Sequence, residues 1–520
     1  MRIISHRGNI SGKNPALENN PDYIREAIDQ GYEVEIDIWL LNEQYYFGHD
    51  NPQYNVQKHF INRIKNKSWF HCKNHEALVG LKKDFDDINF FWHEKDKYTI
   101  TSKGYIWAYP GEKVLDNSIF LFPENYPEEK DKIILSDGIC TDYPAHYETY
   151  KNIEKIQHSE EEILLKLKNP TYSFFTNGPF HFENPIELID PQMEIDSNVI
   201  YKHRIFPVVV DFDANSNQIF EENVFIFPLS ARYYHNLTEI FPRLLKLKKI
   251  DPDFVFVIAA WIDPEWIYSM STCLDPNNRE YYFDYLFEFL NIFNIKYKFF
   301  YKQDFNRNAF RNSYIFYEKR LINQDFQNLL EEGWHEKLKI YDYQHAGLYF
   351  MVNHHCVVNQ LKYLSNYINS CSEQLQLKQT SDSYPKKIFI SRKNFLGRKG
   401  DGYISEENKL IEKKLEQIFI DSGFVIINME DYSFLEQMKL SHNAEIIACF
   451  IGSSTFNTCY SNFEKKLFYL NPLNLEFNSE THLRESYSNI LKLLEVDQTI
   501  YDIDMFDINT TELKEVLSSL

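Results

Sequence analysis

The sequence predicts an α/β protein: a shortened, TIM-type β/α barrel over residues 1–150, then two Rossmann-like lobes over 165–375 and 385–500. Three observations carry this. Short apolar runs alternate with stretches of helical spacing. Within the first fifty residues, polar clusters stand where the apolar runs stop. After residue 385 the pattern becomes strand, helix, strand, helix, strand, which is half of a doubly wound sheet.

Ile3 and Ile4 make a short strand that ends at His6. Pro21 to Gln30 has helical spacing and stops at Gly31. Val34 to Leu41 is a second strand, and Tyr45 to Phe47 a third, followed by His49. Strand C-terminal ends carry the chemistry of a β/α barrel, so His6, Glu35, Asp37 and His49 are expected at one mouth. Glu35 and Asp37 are two apart and share a strand face, as two oxygen ligands to a hard cation must. Two histidines flanking a bound phosphate suit general acid and general base. Further on, Phe91-Trp92-His93 and Ile106-Trp107-Ala108 read as strands running into turns. Trp107 beside polar strand ends suits stacking on a sugar or polyol, and equally suits core packing.

Tyr150 to Lys168 is charged and reads as helical until Asn169-Pro170 breaks it, which sets a first boundary near 150–165. Ser370 to Pro385 is polar without apolar period and sets a second. Between them, strands are expected at Pro207 to Phe212, Asn223 to Pro228 and Phe254 to Trp261, with helices at His235 to Lys249 and Arg279 to Phe293. Beyond 385, strands at Lys387 to Ser391, Phe424 to Asn428 and Ala444 to Ile451 enclose helices at Glu406 to Ser422 and Ser433 to Ser441.

Composition narrows the function classes. A net charge of −21 argues against nucleic acid as a nonspecific partner and against docking on an anionic membrane by charge. The seven cysteines are scattered without metal-type spacing, as expected of reduced thiols in a cytoplasmic protein. No secretion signal is visible, and no apolar run approaches the ~18 residues that cross a bilayer.

The N-terminal signatures are His6-Arg7-Gly8, Glu18-Asn19, Glu35-Ile36-Asp37 and His49-Asp50, closed by Gly138-Ile139-Cys140-Thr141-Asp142-Tyr143-Pro144. Together they resemble the glycerophosphodiester phosphodiesterase and phosphatidylinositol-phospholipase-C-like family. That resemblance implies metal-dependent phosphodiester cleavage, with His6 and His49 catalytic and a magnesium or calcium ion on Glu35, Asp37 and His71. Arg7, Asn9, Lys73, Asp142 and Trp107 are the expected substrate contacts. Two departures stand out. The segment is shorter than eight βα units need. The family's Glu-x-Lys strand, whose Glu is a third metal ligand, reads His71-Cys72-Lys73.

In the C-terminal part, Ser391-Arg392 ends a strand, Arg398 follows in a Gly-containing loop, and Gly452-Ser453-Ser454 lies between strand and helix with Asn457 beyond. Arginines and backbone amides at such positions suit a diphosphate. Adding Tyr234-His235 with Glu239, Pro242-Arg243, Gly423-Phe424, Glu436-Gln437 and Ala444-Glu445-Ile446-Ile447, residues 200–475 resemble the glycosyltransferase family that contains plant β-1,2-xylosyltransferase and the EGF-domain O-GlcNAc transferase. The family's Gly-x-His-Gly-Ala loop is Gly452-Ser453-Ser454-Thr455 here. The resemblance implies a GT-B fold, no obligatory metal, and inverting transfer from a nucleotide sugar, with UDP-sugars the expected donors and a glycan or phosphoglycan the acceptor. Glu239 lies one helical turn after His235, and either can serve as base. Three readings follow: a bifunctional enzyme, a glycosyltransferase with an inactive barrel that binds glycan or phosphate, and a phosphodiesterase with a binding-only C-terminal half.

Overall fold

The computed structural model describes residues 1–115, 117–126, 131–158, 162–175, 206–212, 219–228, 240–259, 284–300, 309–318, 354–378, 384–391, 406–450, 453–461, 463, 465–472, 490–504 and 507–520. By its contacts the chain divides into two units, Met1–Ile156 with Lys166–Lys168, and Gln157–Leu165 with Asn169–Leu520.

The first unit is built on one sheet. Its strands are β1 (Arg2–His6), β2 (Glu33–Leu41), β3 (Gln44–Phe47), β4 (Tyr54–Val56), β5 (Ser68–Cys72), β6 (Phe90–Phe91), β7 (Tyr98–Ile100), β8 (Ile106–Ala108), β9 (Ser118–Leu121) and β10 (Gly138–Thr141). Seven run parallel in the order β6-β5-β2-β1-β10-β9-β8. β3 and β4 extend β2 as an antiparallel meander, and β7 pairs antiparallel with β8. Just after β7, the Ser102 amide donates to the Phe90 carbonyl of β6 (2.8 Å), linking the two ends of the ladder. Helices α1 (Pro21–Asp29), α2 (Lys58–Ile64), α3 (His75–Asp84) and α4 (Asp131–Leu135) join strands elsewhere, but the described residues between β6 and β9 carry no helix. That stretch is where a regular eightfold strand–helix repeat is missing.

Period-two alternation sorts the side chains. Ile3, Val34, Ile36, Ile38, Phe70, Cys72, Phe120 and Ile139 join one buried core with α1, α2 and α3. Ile4, Trp69, Phe91, Trp107, Ile119, Leu121 and Cys140 form a second cluster on the other face. Two residues beyond Ile4, Trp69, Phe91 and Cys140 come His6, His71, His93 and Asp142. An apolar floor therefore lies under a polar layer.

The charged stretch read as a helix is instead two strands, Ile153–His158 and Glu162–Lys168. Ile163, Leu164, Leu165 and Leu167 are all buried. Apolar burial on both strand faces outweighs the helical propensity of the Lys and Glu residues.

The second unit contains two further sheets. In one, Ile219–Pro228, Val255–Ala259 and Lys296–Phe300 run parallel, and Ala309–Glu318 pairs parallel with the first of them. Pro170–Phe175 and Phe206–Phe212 add an antiparallel pair. The strands expected near 207, 223 and 254 are all present. The other sheet comprises β19 (Lys387–Ile390), β20 (Val425–Ile427), β21 (Ile446–Phe450), β22 (Lys466–Pro472) and β23 (Gln498–Ile503), the labels continuing the chain order after the eight strands just named between residues 153 and 318. All five are parallel in the order β20-β19-β21-β22-β23. Helices Glu406–Asp421 and Thr510–Ser518 share its core through Leu415, Phe419, Leu513 and Leu517. The fifth strand and that last helix extend this sheet past residue 500. Phe434, at the start of helix Phe434–Asn443, packs on Phe241 and Phe289, and its amide donates to Glu288. No helix among the described residues is long and apolar enough to cross a membrane. Cys72, Cys140, Cys371, Cys449 and Cys459 are free thiols, and all but Cys371 are buried.

Candidate functional sites

The polar layer of the first unit is assembled by strand register. β1 sets His6 beside Glu35 of β2, and β5 sets His71 beside Asp37. β10 sets Thr141 beside Ser5, so Asp142 follows next to His6. Asp142 Oδ1 accepts from His6 Nδ1 (2.7 Å) and from Asn9 Nδ2 (2.8 Å). Burial opposes ionisation of Asp142, but the His6 hydrogen bond and the charges around it hold its carboxyl below the ordinary value. His6 therefore donates through Nδ1, which turns Nε2 toward Glu35 Oε2 at 3.9 Å. The edge of the His6 ring also meets Phe122 at 4.9 Å.

Asp37 is fully buried and is the electrostatic centre of the layer. Its Oδ2 takes Arg7 Nε (2.9 Å) and Asn19 Nδ2 (2.9 Å). Its Oδ1 faces His71 Nδ1 (3.1 Å) and Lys73 Nζ (3.6 Å). Burial would raise its carboxyl, but His71, Arg7 and Lys73 together hold it far below the usual carboxylate range. Reciprocally, burial would lower His71, yet hydrogen bonding to Asp37 and Glu35 lifts it to about 9. His71 Nε2 donates to the His93 carbonyl (3.1 Å), and its ring stacks on Phe91.

Glu35, Asp37 and His71 offer three donor atoms within 4.8 Å of one another. Glu35 is 3% exposed, and its Oε2 accepts no hydrogen bond. A buried carboxylate oxygen left without a donor is costly, and a cation relieves that cost. The donor set thus fits a divalent ion.

His49 follows β3 by a glycine. The Gly48 amide donates to the Asp37 carbonyl (3.1 Å), and Trp39 Nε1 donates to the Gly48 carbonyl (2.6 Å), so the meander returns the chain to the level of Asp37. A Cβ on Gly48 would stand 2.2 Å from the Asn51 carbonyl oxygen. His49 itself is 40% exposed, with its Nδ1 against Asp50 (2.7 Å). Trp107 is 5% exposed and packed between Trp69 and Phe91, under the polar layer.

Two supports carry no assigned role in the sequence reading. Glu18 receives Arg7 (3.0 Å) and Asn9 (3.2 Å). Glu124 receives the Thr141 hydroxyl (2.7 Å) and the Asp142 amide (3.1 Å), fixing the residue that orients His6. Glu18 sits in the Glu18-Asn19 signature, which was the available signal. Glu124 lies in a short 3-10 turn that carries none.

In the second unit, the five-stranded order reverses between β19 and β21, and ligands of such sheets bind outside the carboxyl ends at that point. Ser391 follows β19, its amide donating to Ile427 and its hydroxyl to Glu416 (2.6 Å). The 3-10 helix Ser453–Ser461 follows β21, with Asn457 buried. His235, Glu239, Arg392, Arg398 and Gly452 lie outside the described residues.

Residues 233–467 match the family model described as Glycosyltransferase 61. The match spans the helices at 241 and 284, the strands from Val255–Ala259 through β21, and the switch point. It supports glycosyltransferase activity for this part of the chain, with a sugar donor and a glycan acceptor. The Glycosyltransferase 61 match does not extend to the first unit. No curated protein matches the chain.

Proposed function

We propose that the chain is an inverting glycosyltransferase using a nucleotide sugar, joined to an N-terminal unit that binds and cleaves a phosphodiester. The observation that carries the first part is the Glycosyltransferase 61 match over a parallel sheet whose switch point falls beside Ser391 and Ser453. Arg392 is the next residue after Ser391, and Gly452 immediately precedes Ser453. Arg392, Arg398 and the amides from Gly452 to Ser454 would hold the diphosphate of a UDP-sugar, with Asn457 a further contact. The acceptor hydroxyl oxygen attacks the anomeric carbon, and its proton passes to His235 or Glu239. The bond from the anomeric carbon to the diphosphate breaks, and the diphosphate leaves with the electron pair.

In the first unit, Asp142 fixes the tautomer that leaves His6 Nε2 able to exchange a proton with a phosphodiester, and His49 is the second proton carrier. Glu35, Asp37 and His71 would hold a divalent cation, which supplies charge stabilisation to the phosphate when bound. Arg7 and Lys73 line the same layer and suit its remaining oxygens. A unit that binds phosphate without cleaving it would keep these contacts and lack turnover.

Thermal-shift titration with a panel of nucleotide sugars tests the transferase reading, because a specific donor raises the melting temperature by mass action. Loss of about 2–3 kcal/mol of charge-assisted binding in Arg392→Ala corresponds to a donor affinity ~30- to 150-fold weaker. A panel in which no nucleotide sugar binds, or one bound equally by Arg392→Ala, overturns this assignment.

A further inference from the structure

The unusual member of the acidic site is His71, and its surroundings are those of a ligand held ready. Nε2 is committed to the His93 carbonyl at 3.1 Å, which leaves Nδ1 as the atom facing Asp37 Oδ1 (3.1 Å) and Glu35 Oε1 (3.6 Å). Metal-ligating histidines characteristically donate their other ring N–H to a carbonyl or carboxylate, which fixes the tautomer. Phe91 stacks on the ring at 5.0 Å with planes 7° apart, so its orientation is set by packing as well. Asp37 Oδ2 is taken by Arg7 and Asn19, which leaves Oδ1 as its free coordinating oxygen. Glu35 Oε2 accepts no hydrogen bond. Two carboxylate oxygens and one imidazole nitrogen thus converge.

From this donor set we infer that the site selects a borderline first-row divalent ion of the zinc and cobalt class over magnesium or calcium. The inference rests on the reading that Glu35, Asp37 and His71 hold a cation. Magnesium and calcium take oxygen ligands, and magnesium gives up its waters reluctantly. An imidazole in place of a third carboxylate removes one anionic oxygen, which weakens those two ions. It adds a nitrogen that later first-row ions bind well. Lys73 Nζ, 3.6 Å from Asp37 Oδ1, is a further positive charge that a weakly held ion must displace.

The test uses the full chain, stripped with a chelator and titrated with cobalt(II) while visible d–d absorption is recorded. Competition by zinc, magnesium and calcium then ranks the ions without reference to any activity. Zinc is expected to displace cobalt near stoichiometry, and magnesium and calcium only at concentrations at least ~100-fold higher. His71→Glu, with circular dichroism as the folding check, is expected to lose the cobalt spectrum of a nitrogen-ligated site and to gain magnesium or calcium binding. Magnesium or calcium competing as well as zinc against the wild-type chain overturns the selectivity while leaving a cation site. Failure of every ion to bind at Glu35, Asp37 and His71 overturns the cation reading itself, and with it the inference.

Discussion

Asp37→Asn is the sharpest probe of the first unit, because it removes one charge and almost no volume. Asp37 has no exposed surface, and Arg7, His71 and Lys73 all direct positive charge at it from within 3.6 Å. The amide keeps a carbonyl oxygen for Asn19 but leaves three cations facing one another with only Glu18 and Glu35 to balance them. Breaking a buried ion pair by removing one partner costs ~3–5 kcal/mol. The partner side chains retain 14–17% exposure and can partly resolvate, which favours the lower end, about 3 kcal/mol. For a cooperative segment of this size each kcal/mol moves the midpoint by roughly 2–4 °C, so the first unit should melt ~6–12 °C lower. Amide hydrogen exchange resolved on β1, β2 and β5, under urea and on heating, reads the unit separately from the rest of the chain. Asp50→Asn, on a carboxylate 85% exposed, serves as the control and should change nothing. A cost below about 1 kcal/mol for Asp37→Asn would show that the cluster is solvated rather than buried, and the electrostatic account of the layer would fail.

The metal-free first unit should also lose stability on the alkaline side of neutrality. His71 is raised from its ordinary value to about 9, so its contribution is complete below about pH 6.5 and lost as pH rises through about 9. The difference corresponds to roughly 3 kcal/mol, and a flat urea midpoint between pH 6 and pH 9.5 would refute it. Asp37 acts oppositely: its contribution is present above its ordinary value and is lost only in strong acid. For phosphodiester cleavage, Asp142→Asn should lower turnover by ~100-fold or more with little change in KM, because it acts on the orientation of His6. Turnover that survives in His6→Ala, or in His49→Ala, would remove that histidine from the reaction.

The readable part of the fold was local. In the first unit, the run Val34 to Leu41 announced a strand with Glu35 and Asp37 on one face, and the helical spacing from Pro21 that stops at Gly31 announced α1. Only part of the expected strand-end placement holds: His6 closes β1 and Asp142 follows β10, whereas Glu35 and Asp37 lie inside β2, which continues to Leu41. In the second unit, three buried parallel strands announced themselves as continuous apolar runs, at Val255–Ala259, Lys387–Ile390 and Ile446–Phe450. The stretch from 150 to 168 misled for a complementary reason. Its Lys and Glu residues favour a helix locally, while the burial of Ile163, Leu165 and Leu167 was decided by chain far away in sequence.

Residue types and their spacing determined by themselves which side chains carry chemistry: two carboxylates two apart, histidines at strand ends, and small residues after a buried strand. These depend on periods of two and 3.6 residues, which any short window contains. Only the tertiary structure decided who meets whom. Register between β1, β2, β5 and β10 put His6 on Asp142 and His71 on Asp37, contacts that span 136 and 34 positions of chain. It sank Trp107 into the apolar floor and recruited Glu124 to hold Asp142. It also ordered the last five strands so that their reversal falls at β19 and β21. Such pairings are long-range choices among many strands with similar apolar patterns, and the energy that selects them comes from packing the whole sheet at once.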